Sequence, residues 1–249
     1  MSRIVVVTDS TASLPPKVVA ERGIVVVPLQ VVIGADVLDE GSEGATPEVV
    51  AEALREFRPV STSRPSPSVM LEVYEQAAAE GATAVVSIHL SGDMSGTFES
   101  AQLAAREASI PVTAVDTRQV GIATGYAVLA AADVLDEGGS AQEAAEAARS
   151  RAAASSSLFY VDTLEYLRRG GRIGAAAALF GGALAVKPLL TIADGVVATH
   201  EKVRTGQVGH AHVDLALLRG QHRELLQSAE RPRRRPDLLV RGDHAVRDR

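Results

Sequence analysis

A chain of 249 residues with 46% hydrophobic residues can hold one large or two modest α/β cores, and its net charge of -6 argues against the broad basic footprint of a nucleic-acid binder. It contains no cysteine, which excludes disulfides, cysteine-ligated zinc, iron-sulfur clusters and thiol nucleophiles and fits a reducing cytoplasm. Lysine occurs only at Lys17, Lys187 and Lys202, so arginine carries most of the positive charge, a bias that reads as a GC-rich genome.

Residues 4–8, opening Ile4-Val5-Val6-Val7, are too short for a signal-peptide core and predict a buried first strand. After a loop over 9–13, Pro15 sits in a tolerant first helical turn and Gly23 supplies a left-handed helix end. Residues 24–33 read as one further strand. Thr46-Pro47-Glu48 opens a helix to about residue 57, and Ser68 caps a helix that stops at Gly81, with the loop Ser61-Thr62-Ser63-Arg64-Pro65-Ser66-Pro67 between them. A strand over 84–90, a helix over 96–108, a strand over 112–116 and a helix over 121–137 follow, and Ser140 caps one more.

The alternation predicts βαβ units and a mainly parallel sheet. A strand over 158–162 opens a second domain, followed by a small-residue helix over 173–184 and a hairpin turning at Asp194-Gly195. The apolar run 173–186, broken by Lys187-Pro188, is too short to span a membrane. The expected organisation is an N-terminal α/β domain over 1–150, the start of a second α/β domain over 151–205, and an atypical segment over 206–249.

In open parallel sheets, ligands bind beyond the carboxyl ends of the strands, where the loops 9–11, 91–97 and 116–117 lie. Ser13, Ser68 and Ser140 read as helix N-caps. Ser95 stands beside Gly96, and Thr62 and Ser63 shortly before Pro65, in loops where hydroxyl and backbone N–H can face a ligand. Gly92-Asp93-Met94-Ser95-Gly96 fails the spacing of a hydrolase elbow, and His89 reads as a satisfied core histidine. No phosphate loop surrounds Lys187, and His210-x-His212 lacks a carboxylate pattern, so no metal is expected. Arg231, Arg233, Arg234 and Arg235, punctuated by Pro232 and Pro236, read as a solvated tail. The Ala/Gly stretch 174–185 suits either a tightly packed helix or the wall of an apolar tunnel.

Several motifs occur in register along the chain: Thr8-Asp9-Ser10-Thr11, Val27-Pro28-Leu29, the Thr62-Ser63 loop, Leu90-Ser91-Gly92-Asp93-Met94-Ser95-Gly96-Thr97, the Gly170-Gly171-Arg172-Ile173 element and Lys202-Val203-Arg204. Together they resemble the DegV family of bacterial fatty-acid-binding proteins. The resemblance implies a two-domain α/β fold: an N-terminal, mainly parallel sheet flanked by helices, a second α/β domain, and a ligand cleft between them. It implies Thr62, Ser63 and Ser95 as contacts of a long-chain fatty-acid carboxylate, with Gly96 letting the backbone approach closely. Arg172 would orient the head-group loop or lend it positive potential, and Ile173, Gly174, Ala178 and Gly181 would belong to the cavity or its rim.

Lys202 and Arg204 match a surface implicated in docking to a fatty-acid kinase. The resemblance therefore implies a cytoplasmic carrier that catalyses nothing, needs no metal or cofactor, binds no nucleic acid and at most touches a membrane surface transiently; ATP and metal would belong to the kinase. The alternatives are a serine-dependent hydrolase using the same loops and a non-functional truncated homologue. After Arg204 the pattern departs from the family, whose closing His-x-Gly-Pro-Gly segment brings a histidine to the carboxylate. Residues 206–249 are instead rich in arginine and histidine, and are expected to reflect a frameshift, a disordered tail or a genuine divergence.

Overall fold

The computed structural model describes residues 3–161, 163–179 and 186–204. Its centre is a four-stranded parallel sheet in the order β2-β1-β6-β7, formed by β1 (Arg3–Asp9), β2 (Val25–Val27), β6 (Ala82–His89) and β7 (Val112–Asp116). The strands read as nearly unbroken apolar runs because both faces are covered. On one face Val5, Val7 and Val85 pack against Met70, Tyr74 and Ala77 of α3 (Pro67–Ala79) and Ala104 of α4 (Thr97–Glu107). On the other lie α5 (Ile122–Asp136) and α6 (Ala141–Ala153). Helix α5 is buried almost all round, with Ala123, Tyr126, Ala127, Val128 and Ala131 enclosed, because α6 presents small residues, Ala144, Ala145 and Ala148, that allow close approach.

The expected single strand over 24–33 is two strands in two sheets. Pro28 has no N–H to give a ladder, and the next amide, Leu29 N–H, donates to Ser10 Oγ at 2.9 Å. The chain thus leaves the parallel sheet after β2 and enters β3 (Gln30–Ile33), the centre of an antiparallel sheet ordered β4-β3-β5, with β4 (Asp36–Asp39) and β5 (Val60–Ser63) at its edges. Helix α2 (Pro47–Arg55) covers one face of it, and Val31, Ile33, Ala45 and Ala53 make a small core of their own. The Thr62-Ser63 segment, expected as loop, is therefore the end of an edge strand.

Capping follows local chemistry. Thr46 accepts from Val49 N–H, and Ser140 forms a reciprocal capping box with Glu143. Helix α3 starts earlier than expected: Ser66, not Ser68, accepts from Val69 N–H, because Pro67 takes the first helical position, where a missing N–H costs nothing. Ser13 is no N-cap; it has φ 53 and closes a 3-10 turn (Ser10–Ala12) whose cap is Asp9. Helix α1 (Pro16–Arg22) ends at Gly23, φ 60, as its sequence indicates.

A third sheet, ordered β10-β9-β8, comprises β8 (Leu158–Tyr160), β9 (Val186–Ala193) and β10 (Val196–Arg204). The β9–β10 turn is the expected Asp194-Gly195 pair, with φ of 50 and 84 that suit a type I′ turn. Leu190, Ile192 and Val197 enclose Ala176, which lies in a 3-10 segment (Gly174–Leu179) where a longer helix was expected. The short helix α7 (Glu165–Arg169) precedes it. Among the described residues, no helix is long and apolar enough to cross a membrane.

Candidate functional site

Strand β1 ends at Asp9, fully buried, and this carboxylate organises the loops above the sheet. One oxygen, Oδ2, meets His89 Nδ1 at 2.9 Å and accepts Leu90 N–H at 3.1 Å; the other accepts Thr11 N–H at 3.1 Å and the Thr11 hydroxyl. Burial works to raise the Asp9 pKa. The hydrogen bonds from His89, the Thr11 hydroxyl and the Leu90 amide outweigh it, and the carboxyl is held below its ordinary value. One buried group thereby fixes both the 3-10 turn after β1 and the start of the loop after β6.

Behind Asp9 runs a buried chain. His89 Nε2 is 2.7 Å from Ser87 Oγ, which is 2.8 Å from the Tyr74 hydroxyl, and burial pushes that phenol up to about 12. One arrangement satisfies every group: Tyr74 donates to Ser87, Ser87 to Nε2, and Nδ1–H to Asp9. Ser87, His89 and Asp9 have the residue types of a catalytic triad, but all three are fully enclosed, and Tyr74 closes the serine end. Both ring nitrogens are occupied, so His89 has none left to activate Ser95. It is the satisfied core histidine that its strand position suggested.

The loop from Ser91 to Gly96 is wound tightly. Met94 and Ser95 N–H both donate to Ser91 C=O at 3.1 Å, and Ser95 Oγ lies 2.9 Å from Thr97 Oγ1. Ser91 Oγ, fully buried, donates to Gly195 C=O at 2.7 Å and so ties the β9–β10 turn to this loop. A Cβ on Gly195 would stand 2.7 Å from Ser91 Oγ and from Asp93 Oδ2, so the turn seats there only as glycine. Arg118, with φ 52, donates to Asp194 C=O and lies 3.5 Å from Asp93.

Two more arginines reach the same loop. Arg172 Nε donates to Met94 C=O at 3.3 Å, and Arg64 Nη1 donates to Gly96 C=O at 3.0 Å. The structure therefore brings Ser95, Gly96 and Arg172 together and ties the segment carrying Thr62 and Ser63 to them through Arg64. Thr62 and Ser63 themselves are exposed. Because they are adjacent on β5, paired with Val31 and Gln30, their side chains point to opposite faces of the small sheet. From this strand conformation only one of the two hydroxyls can face a given ligand, and the other would contribute through its backbone.

The arginine cluster of α7 divides by function. Arg168 and Arg169 both engage Glu165, and these bonds, Arg168 foremost, lower that carboxyl to about 2 on an exposed helix face. Arg172 turns inward to Met94. Ile173 packs with the core of the third sheet. Gly174, φ 52, would place a Cβ 2.3 Å from Val197 C=O, so its role in the structure is close packing against β10. Ala178 falls in the 3-10 segment, and Lys202 and Arg204 fall on β10 opposite Pro188 and Val186. Gly181 and residues 206–249 lie outside the described residues. Sequence reading placed Asp9 in the 9–11 loop and Arg64 in the loop over 61–67 without giving either a role, and it missed Glu99 and Arg118.

These features define an α/β protein with a hydroxyl- and arginine-bounded loop cluster beyond the carboxyl edge of a parallel sheet, the usual position of a ligand site in that architecture. The model of the DegV family, described as an uncharacterised protein family, matches residues 3–214. The DegV domain-containing protein SCO2569 of Streptomyces coelicolor is 52% identical over 215 residues, covering 86% of this chain and 76% of its own length. A structure described as fatty-acid binding of a DegV family protein from Thermus thermophilus superimposes with a TM-score of 0.79 at 39% identity, over 87% of this chain and 77% of that one. DegV from Bacillus subtilis, described as a fatty-acid-binding protein, does so with a TM-score of 0.73 at 31% identity, over 92% and 78%. The chain belongs to the DegV family.

Proposed function

We propose that this protein binds a long-chain fatty acid and presents its carboxylate to a separate ATP-dependent fatty-acid kinase, itself catalysing nothing. The observation that carries the reading is the convergence on one loop: Arg64 and Arg172 bring the Thr62-Ser63 segment and the Gly-Gly-Arg-Ile element to Met94, Ser95 and Gly96. The relatives from Thermus thermophilus and Bacillus subtilis, described as binding fatty acid, support the choice of ligand.

In this reading Ser95, Thr62 or Ser63, and the backbone at Gly96 donate to the carboxylate. Burying an ionised carboxylate without partners is prohibitive, and neutral donors satisfy it while keeping the ligand releasable. Ile173, Gly174, Ala178 and Gly181 border the tail. Each methylene buried contributes roughly 0.8 kcal/mol, so a long acyl chain offers ~10 kcal/mol before ordering costs. Lys202 and Arg204 form the kinase-docking surface, and the carrier works in the cytoplasm.

The test is to purify the protein without added lipid, extract it with organic solvent and quantify fatty acid by mass spectrometry. Near-stoichiometric fatty acid is expected. A folded protein that is empty and takes up no added fatty acid would overturn the reading.

A further inference from the structure

Arg64 is built into the loop cluster more deliberately than a surface ion pair requires. Its Nη1 donates to Gly96 C=O at 3.0 Å and to the Glu99 carboxylate at 2.6 Å. The space for it exists only because residue 96 is glycine: a Cβ there would stand 2.0 Å from Nη1 and 2.7 Å from Cδ. Gly96 has φ -71, a value open to any residue, so what a larger side chain there would displace is the guanidinium and not the backbone. The close approach expected at Gly96 for a ligand is, in this structure, occupied by an arginine side chain.

Among the described residues, every bond of Arg64 leaves from Nη1. Guanidinium carries a second edge, Nε and Nη2, whose parallel N–H pair matches the two oxygens of a carboxylate or phosphate. Among the described residues nothing bonds to that edge, on a side chain 42% exposed that directly follows the end of β5 carrying Thr62 and Ser63. Glu99 anchors the other end and offsets part of the charge.

We infer that Arg64 supplies a head-group subsite, its Nε–Nη2 edge taking the ligand's anionic head in a bidentate pair while Nη1 stays on Gly96 and Glu99. The inference rests on the fatty-acid reading above and adds to it a charge requirement: the site selects an anion over an uncharged head of equal chain length. Arg64→Lys keeps a cation able to hold Gly96 and Glu99 and removes the fork, which separates recognition from clamping.

The experiment measures binding of oleate and of oleyl alcohol to the full chain by displacement of a fluorescent fatty acid, for wild type, Arg64→Ala and Arg64→Lys, with thermal melting recorded alongside. Loss of a charge-assisted bidentate pair should weaken oleate about tenfold or more in both variants and leave oleyl alcohol within about twofold. Equal weakening of both ligands would make Arg64 a clamp only, and wild-type oleate binding by Arg64→Lys would show that the second edge is unused. Wild type that binds neither ligand would overturn the fatty-acid reading, and the subsite with it. Should Arg64→Ala not fold, Arg64→Lys alone decides.

Discussion

Replacing Asp9 tests whether one buried carboxylate holds the loop cluster together. Asp9→Ala removes the acceptor of His89 Nδ1–H, Leu90 N–H and Thr11 N–H at once. Leaving a buried donor unpaired costs about 1–3 kcal/mol, and three donors lose their acceptor together, Thr11 only part-buried, so the variant should lose about 3–5 kcal/mol. Asp9→Asn should lose less. Its Oδ1 can take the place of Oδ2 and accept His89 Nδ1–H and Leu90 N–H, its NH2 can donate to the Thr11 hydroxyl, and only Thr11 N–H is left without an acceptor. Urea unfolding followed by circular dichroism measures both. The pH dependence has a defined sign: because the folded carboxyl is held below the ordinary 3.8, its contribution is fully present above that value and is lost as pH falls through the lower folded pKa. The gap between wild type and Asp9→Asn should therefore be constant from neutrality to about pH 5 and close at more acid pH. An Asp9→Ala midpoint within about 1 kcal/mol of wild type, or a gap that widens on acidification, would refute the reasoning.

Ser95→Ala should weaken fatty-acid binding by about 1 to 3 kcal/mol if its hydroxyl reaches the carboxylate; unchanged affinity in the displacement assay would leave it as the partner of Thr97 alone. Gly174→Ala must shift the 3-10 segment away from Val197 C=O and abandon a left-handed backbone, and should cost about 2 kcal/mol or more in urea unfolding; a neutral result would mean that segment moves freely. A Lys202→Ala and Arg204→Ala double variant should keep fatty-acid affinity and lose pull-down of the kinase. Equal loss of both activities would place the docking surface elsewhere.

The parts of the fold that sequence reveals are those whose cause is local. The parallel strands stand out because burial on both faces demands an apolar run, and the β9–β10 turn because Asp194 and Gly195 tolerate positive φ. The β4-β3-β5 sheet is hidden for the opposite reason. Val60-Ser61-Thr62-Ser63 is polar and mostly exposed, Asp36 and Asp39 flank β4 with charge, and both strands form only by pairing with β3. Site residues divide likewise. Ser95 and Gly96 could be picked out beside one another, whereas Arg64 meets Gly96 across 32 positions and His89 meets Asp9 across 80. No periodicity records such contacts. At Gly174, in a stretch whose small residues suit either tight packing or an open tunnel, the Val197 carbonyl lies almost where a Cβ would stand, a contact that no sequence pattern records.

Under the proposed fatty-acid reading, the charge balance around the loop from Ser91 to Gly96 lets it favour an anion and still release it. Arg118 faces Asp93, and Arg64 faces Glu99, so each of these guanidinium groups is offset by a carboxylate while it braces the loop. Arg172, half-buried, meets only carbonyls among the described residues, those of Met94 and Gly170. Carbonyl dipoles orient a guanidinium without cancelling its charge, so Arg172 keeps its positive charge beside Met94 and Ser95. A site with three unopposed arginines would hold a carboxylate too firmly for a carrier, and one with none would leave hydroxyls alone to meet the cost of desolvating it. Asp116, which accepts Gly92 N–H at 3.2 Å, sets a third carboxylate against the three arginines and keeps the field modest, while backbone bonds from Arg64 and Arg172 to the loop keep it preorganised. Glu99→Gln should shift that balance and slow release of oleate more than it changes capture, because the added positive charge acts at contact distance and is screened beyond about 10 Å at 0.1 M salt. Stopped-flow dissociation rates unchanged or faster in Glu99→Gln would show that the field at this loop does not govern retention.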